Sequence, residues 1–240
     1  MNQTTDFEKN TDNLVTMNKR MNAVEAIQTR KSVCWFLPKE VAKSEIEDVI
    51  RDAMRAPSYK NTQPWEVVAV LGNKKVSLSE MLLDLLDKDV QATPDITEPL
   101  RWPVANSLRF KETMTKRNTA YGIVSGDPDA LRKSKMANFK FYSAPVVLYF
   151  YHDASLGMWS VLDMGMFIQN VMLGFHARGI STVPQAFLTD YAAQVKQHLS
   201  IPNSKRLVLG MSVGYEDTDK PRRKFTTDRV EVSEIFQYNE

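Results

Sequence analysis

The chain has 240 residues, of which 43% are hydrophobic and 25% are charged, and its formal net charge is +2. This composition is ordinary for a soluble globular protein, and the small net charge gives no indication of binding to nucleic acid or to an anionic membrane. Cys34 is the only cysteine, which excludes an internal disulfide and fits a reducing compartment. No apolar run of signal-peptide or membrane-spanning type is present, so we expect a cytoplasmic protein.

The first 87 residues predict an arm, three helices and one strand. Residues 1–20 are polar and are interpreted as an N-terminal arm, and residues 21–240 as a single domain. Ser44 and Glu47 have the spacing of a capping box, which favours a helix start there, and Pro57 stops that helix. The predicted elements are helices over 22–30 and 44–56, a buried strand over 66–72 and a helix over 75–87.

The second half predicts an irregular excursion followed by core elements. Residues 88–140 contain prolines and recurring aromatic residues, which favours an ordered excursion with some helix over a disordered linker. The nearly continuous apolar run at 144–153 indicates a central strand covered on both faces. The remaining predicted elements are a buried helix over 160–179, a helix over 191–199, a central strand around 206–214 and a C-terminal strand or tail over 229–238. Without a regular βαβ repeat, the predicted fold class is α+β.

Common nucleotide-binding and hydrolase motifs are absent. The sequence has no G-x-G-x-x-G after a strand, no P-loop and no G-x-S-x-G. An enzyme built on this chain would therefore use side chains, or a cofactor that brings its own chemistry.

Two polar clusters are candidate binding sites. Arg30, Lys31 and Ser32 place two cations and a hydroxyl after a short helix, and the arginine fork suits phosphate. Standing alone, such a tripeptide would be interpreted as a solvated turn. Asn61 and Gln63 can both donate and accept hydrogen bonds, which matches a heteroaromatic edge, and self-capping of their loop is an equal alternative.

Other reactive groups favour structural interpretations. The basic run at 220–224 has the composition of a solvated face. Cys34 lacks an evident partner base, which argues against a nucleophile. The three histidines show no readable acid–base pairing and are expected to be structural or exposed.

Several blocks of the sequence resemble the FMN-dependent nitroreductase family. The similarity begins at "AIQTRKSVCWF", continues through "APSYKNTQPW" and resumes at "NFKFYSAPVVLYFYHD", "LDMGMFIQNVMLGFHARGISTVPQAF", "LVLGMSVGYEDTDKP" and "TDRVEVSEIF". It extends from about residue 22 to the C-terminus, is weakest over 73–137, and is closest to nitrobenzoate-type reductases at 183–186. The resemblance implies a nitroreductase-like α+β fold, with a mixed, mostly antiparallel central sheet flanked by helices. It also implies a homodimer with FMN at the subunit interface.

The resemblance further implies which residues contact FMN. The loop after the second helix would reach the cofactor across the dimer interface, with its residues beside the ring or ribityl chain and along the polar flavin edge. These residues are Pro57, Ser58, Tyr59, Asn61 and Gln63. A backbone N–H of the segment Pro184, Gln185 and Ala186 would lie near flavin N5, where an amide stabilises developing charge.

The implied contacts at the phosphate, ribityl and pyrimidine end come from both ends of the chain. They are Arg30, Lys31, Ser32 and the late arginine, Arg229. Cys34 stands where the family usually has a basic residue, and Thr227 where some members have lysine. Cys34 is still counted among the implied cofactor contacts, and FMN is expected to remain bound, but less tightly.

The implied activity is reduction of nitroaromatics, quinones or both, with NADH or NADPH as the electron donor, by a ping-pong two-electron mechanism. Trp102, Phe110 and Tyr121 are candidates for stacking on flat substrates, and ordinary packing is at least as good an explanation for each. Alternatives are a dehalogenase or ene-reductase on the same fold, a non-catalytic flavin-binding redox sensor or interaction protein, and a flavin-free homodimer. The sequence selects neither the physiological acceptor nor one of the two nicotinamide nucleotides.

Overall fold

The computed structural model describes residues 21–121, 123–124, 126–220 and 225–240, so the predicted arm at 1–20 lies outside the described residues. The helices are α1 Ala23–Thr29, α2 Lys43–Ala53, α3 Gly72–Asp87, α4 Val104–Tyr121, α5 Ala130–Phe139, α6 Met158–His176 and α7 Ala192–His198. The strands are β1 Glu66–Val70, β2 Val146–Asp153, β3 Ser181–Gln185 and β4 Lys205–Gly214. Short 3₁₀ turns occupy Tyr59–Asn61, Phe141–Ser143, Ala186–Thr189 and Val232–Glu234.

The strands form one antiparallel sheet in the order β1-β2-β4-β3. The inner strands β2 and β4 place Leu148 opposite Met211. An isolated parallel bridge joins Ser32 to Thr182 of β3, so the segment after α1 lies beside this edge strand. The predicted α+β class is confirmed, and the two apolar runs form the two inner strands as predicted.

Both faces of the sheet are covered, and β2 shows how. Val146, Leu148 and Phe150 pack in the core that contains α2 and α6, whereas Val147 and Tyr149 pack in the core that contains α3. All five side chains are fully buried, and burial of each apolar side chain of this size contributes roughly 1.5–3 kcal/mol. Helix α6 is therefore the main layer on one face, and its position fixes the elements that contact it.

Two helix starts differ from the prediction. Helix α2 has Ala42 as its N-cap and no side-chain cap, so Ser44 falls inside the first turn and the predicted capping box is wrong. Helix α3 begins at Gly72, three residues early, and the φ of +53° at this glycine lets the chain turn from β1, which ends at Val70, into the helix. The C-terminal segment was predicted as a strand or a tail, and within 225–240 it forms a tail with one 3₁₀ turn and no strand, with Ile235 and Tyr238 exposed.

The excursion over 88–140 is ordered where described and contains helices α4 and α5, as predicted. The first part of the excursion is attached to α7 and to the start of β4. Asp95 pairs with Lys196 at 2.9 Å and also accepts the backbone N–H of Leu207 at 2.7 Å. Arg132 of α5 pairs with Asp87 at 2.7 Å. Polar contacts thus join the excursion to the rest of the chain at several points.

The turn after β3 packs directly on the backbone of β4. A Cβ atom added to Gly210 would lie 2.5 Å from Cβ of Leu188, which is closer than atoms can approach. Gly210 therefore sets the position of the Ala186–Thr189 turn. Over the described residues, no helix is both long enough and apolar enough to cross a membrane.

Candidate functional site

The loop over 57–65 presents polar side chains in an unusual backbone conformation. Lys60, Asn61 and Gln63 all have positive φ, between 47° and 57°, although none is glycine. The Gln63 N–H donates to Oγ of Ser58 at 3.0 Å, and its side-chain Nε2 donates to the Asn61 carbonyl at 3.4 Å. Self-capping of this loop is therefore observed, yet the side chains of Asn61 and Gln63 stay exposed and accessible to a ligand.

Helix α6 contacts the 57–65 loop through stacked aromatic rings and hydrogen bonds. The Tyr59 ring stacks on Trp159 with centroids 5.3 Å apart, and the Tyr59 N–H donates to both carboxylate oxygens of Asp163 at 3.1 Å. Trp65 stacks on Phe167 with centroids 5.0 Å apart. Sequence reasoning missed Asp163, although a carboxylate in an otherwise apolar buried helix was a usable signal.

A second candidate region lies at the end of α1, where positive charge is incompletely compensated. The Nη1 atom of Arg30 is buried and has no hydrogen-bond partner among the described residues. Burial, and then the charge of the nearby Arg229, lowers the pKa of the Arg30 guanidinium below its ordinary value. Ser32, two residues later, is exposed and forms the bridge to Thr182. Arg30, Ser32 and Arg229 together are called the Arg30 corner. Its positive charge and the unused donor of Arg30 are features that bind an anion such as phosphate.

Neighbouring groups modify the Arg30 corner. Nε2 of His176 lies 2.8 Å from Oγ1 of Thr29, whose hydroxyl donates to the Glu25 carbonyl at 2.6 Å. Burial, and then the charges of Arg30 and Lys31, lowers the pKa of His176. His176 was expected to be structural or exposed, and no local pattern in the sequence pointed to its position beside Arg30.

Lys31 is engaged within the chain. Its Nζ atom pairs with Glu216 at 2.7 Å, so its charge is largely compensated, in contrast to that of Arg30. Arg229 is exposed, and its Nη1 donates to Oγ1 of Thr227 at 2.9 Å. Of the described basic residues in this region, Arg30 is the one with a buried, unused donor.

The end of β3 contains a buried hydrogen-bond network. The side chain of Gln185 is 3% exposed, accepts from Oγ of Ser212 at 2.5 Å and donates to Oδ1 of Asn138 at 3.0 Å. Asn138 in turn donates to the Tyr142 hydroxyl at 2.9 Å. The Gln185 side chain therefore points into the protein. Ala186 is exposed and Pro184 is partly buried, so the part of this segment available to a ligand is its backbone and not the Gln185 amide.

The remaining predicted residues lie in different settings. Cys34 packs beside a small core cluster that includes Val33 and Val183. Trp102 and Phe110 belong to the excursion and are 54% and 61% exposed. Tyr121 is the last residue of α4, and its side chain lies outside the described part of the structure, as do residues 221–224 of the basic run.

The contacts collect the predicted residues into two groups. The 57–65 loop rests on α6 at Asp163, and the Arg30 corner meets the same helix at His176 through Thr29. Thirteen residues separate these two positions, which corresponds to about 20 Å along an α-helix. Pro57, Ser58, Tyr59, Asn61 and Gln63 thus form one group, and Arg30, Ser32 and Arg229, with the β3 edge, form the other.

Comparison with known proteins gives a consistent result. The family model described as "Nitroreductase family" matches residues 27–215. The 4-nitrobenzoate reductase of Pseudomonas putida is 34% identical over 195 residues, which cover 80% of this chain and 84% of that protein.

Solved structures show the same similarity. The FMN-dependent nitroreductase NfnB from Mycobacterium smegmatis, in complex with NADPH, superposes with a TM-score of 0.86 at 29% identity, covering 91% of this chain and 98% of that chain. NfnB from sphigopyxis sp. strain HMH shares the fold with a TM-score of 0.88 at 24% identity, over 92% of this chain and 100% of that one.

Proposed function

The chain belongs to the nitroreductase family, as its motifs predicted, and on this premise we propose that it is an FMN-dependent oxidoreductase. It uses NADH or NADPH to reduce nitroaromatics, quinones or both in two successive half-reactions. The observation that carries the proposal is the Arg30 corner, where a buried guanidinium has an unused donor and a second arginine nearby. The single cysteine fits a cytoplasmic location for this enzyme.

The residues present fit FMN. A phosphate group would pair with Arg30 and Arg229 and accept a hydrogen bond from the unused Nη1 donor, so it would offset both the unpaired donor and the repulsion between the two arginines. Ser32 supplies a hydroxyl beside them. Asn61 and Gln63 present exposed amides that can match the alternating donors and acceptors of the flavin edge.

The two groups of residues favour a site completed by two copies of the chain. The loop and the Arg30 corner contact α6 about 20 Å apart, so one copy's loop is well placed to serve the other copy's corner. The α6 surface beside the loop is apolar and open, with Met158 and Leu162 more than half exposed in a groove that Pro57 also lines. We infer that this surface is covered in a homodimer.

The chemistry that FMN supplies when bound is two-electron transfer from the nicotinamide donor to the acceptor. The protein's task is orientation and electrostatic support. The backbone at 184–186 is held by the inward side chain of Gln185, so its amides can present a fixed donor to the flavin ring. The excursion supplies exposed Trp102 and Phe110, which together with Tyr121 form the proposed wall for a flat acceptor.

The first experiment is a visible absorption spectrum of the purified protein supplied with FMN. Retention of FMN after gel filtration is expected, with bleaching under anaerobic conditions on addition of NADH or NADPH. The colour should return with 4-nitrobenzoate or benzoquinone, each of which is scored separately. Bound flavin that neither nucleotide bleaches would favour a flavin-binding sensor over an enzyme. Absence of retained flavin would contradict the cofactor assignment.

Two further measurements complete the test. Light scattering should give twice the chain mass of 27.4 kDa if the site needs two copies. Assays of the reduced protein with a halotyrosine and with an activated alkene separate the nitro and quinone reductase from a dehalogenase or an ene-reductase. Turnover of one of these, without turnover of nitroaromatics or quinones, would change the proposed reaction but not the cofactor.

A further inference from the structure

A single stripe of helix α6 holds the 57–65 loop near both of its ends. Trp159, Asp163 and Phe167 are spaced four residues apart, so they lie on the same face of the helix. The outer two stack on the rings of Tyr59 and Trp65, and the middle one binds the Tyr59 N–H. The three contacts act on one short segment, between the end of α2 and the start of β1.

Asp163 is the polar member of this stripe and is 2% exposed. A buried carboxylate is unfavourable unless hydrogen bonds compensate it, and this one directs both oxygens to a single backbone donor of the loop. Nothing in the packing of α6 against the sheet requires a charge at this position, because the neighbouring buried positions, Met164 and Phe167, are apolar. The contact with the loop is therefore what the carboxylate does here.

The segment that Asp163 holds is one that would otherwise relax. Lys60, Asn61 and Gln63 occupy the left-handed region, which is unfavourable for residues other than glycine, so the loop keeps its shape only if surrounding contacts fix it. The exposed amides of Asn61 and Gln63 follow the Tyr59 N–H by two and four residues. Holding that N–H anchors the start of the short segment from which both amides project.

We propose that Asp163 is a positioning residue that preorganises the 57–65 loop for cofactor binding. The inference rests on the proposed function for the identity of the cofactor, FMN. It assigns to α6 a role that is separate from its role in the core. It also explains why a carboxylate is buried beneath the loop, with both of its oxygens directed to a backbone N–H.

The test compares Asp163→Leu, which removes the acceptor at similar size, with Asp163→Asn, which keeps one oxygen acceptor without the charge. Asp95→Leu is the matched control, since Asp95 also accepts a backbone N–H but from Leu207, away from the loop. FMN affinity is measured by flavin fluorescence. Hydrogen exchange of the Tyr59 amide is measured in the protein without added FMN, with the Leu148 amide of β2 as an internal reference.

We expect Asp163→Leu to bind FMN about 10- to 100-fold more weakly, the loss typical of one hydrogen bond to a charged group, and Asp163→Asn to lose less. Exchange at Tyr59 should accelerate at least as much, while exchange at Leu148 keeps its order of magnitude and Asp95→Leu leaves FMN affinity unchanged. If Asp163→Leu fails to fold, the Asn variant decides, with weaker FMN binding and faster Tyr59 exchange than wild type as the expected result.

Wild-type FMN affinity together with wild-type Tyr59 exchange in the folded variant would overturn the proposal. Equal losses in Asp163→Leu and Asp95→Leu would also overturn it, because the effect would then reflect general destabilisation. If wild-type protein does not bind FMN, the proposed function fails, but the exchange rate at Tyr59 still shows whether Asp163 holds the loop.

Discussion

Replacing Arg30 by methionine should stabilise the protein without FMN and weaken its binding of FMN. The Nη1 atom of Arg30 is buried without a partner among the described residues, and Arg229 adds repulsion. An unsatisfied buried donor costs about 1–3 kcal/mol, so Arg30→Met should raise the free energy of unfolding by up to this amount while keeping the aliphatic packing.

The same substitution removes a charge-assisted hydrogen bond to the cofactor phosphate. Such a bond contributes about 1.5–3 kcal/mol, which corresponds to a roughly 10- to 150-fold increase in the Kd for FMN. The two effects have opposite signs and arise from one guanidinium. This combination is typical of a residue kept for ligand binding at the expense of stability.

Urea unfolding of the FMN-free proteins and FMN titration by flavin fluorescence give the two quantities. Lys31→Met is the control. Lys31 already pairs with Glu216, so this substitution removes a charge from the same region without removing a buried donor that lacks a partner. An Arg30→Met protein that is less stable than wild type without FMN, and that binds FMN equally well, would refute the assignment of this corner to the phosphate.

Three further predictions concern groups around the two regions. Lys31→Ala should change FMN affinity less than about fivefold, because Lys31 is already paired with Glu216 and such a partly exposed ion pair is worth at most about 1 kcal/mol; the same fluorescence titration checks this. Gly210→Ala should lower the free energy of unfolding by about 1–3 kcal/mol in urea and shift the turn at Leu188, since the new methyl group has no space. The pKa of His176 is lower in the folded state, so the unfolded state binds more protons. Stability should then fall as pH drops below about 6.5, and His176→Gln should flatten this slope in unfolding curves between pH 7 and pH 5.

The core elements could be predicted from the sequence because their patterns are long and local. Strand β2 has an almost unbroken apolar run, and helix α6 is apolar on most sides, so each pattern has one good structural solution. The capping box at Ser44 failed because it depends on two residues only, and the N-cap is Ala42, two residues earlier in the chain.

Contacts between distant parts of the chain could not be predicted from local patterns. Arg30 and Arg229 are brought together only by the fold, and the motif resemblance alone indicated a shared role. The inward direction of Gln185 was open to prediction, because in a strand it shares a face with Val183, which is buried. A lone acid in a largely apolar helix marks Asp163 as a position with a polar role, but it does not identify the partner Tyr59, 104 residues away, so this contact could not be predicted.

The attachment of residues 88–140 bears on how new acceptor preferences could be introduced by protein engineering. The excursion is fastened by ion pairs such as Arg132 with Asp87 and Lys196 with Asp95, and neither pair includes a residue of the loop or of the Arg30 corner. Lys116 of α4 also pairs with Asp228, the residue directly before Arg229. Libraries that keep these four residues and Lys116 can therefore vary the intervening wall while the residues proposed for the cofactor and their contacts with the excursion stay unchanged. A one-residue insertion in α6 would instead rotate half of the helix by about 100° and separate the two regions from each other. Sequence variation should therefore be confined to the excursion, and the number of residues in α6 should be kept constant.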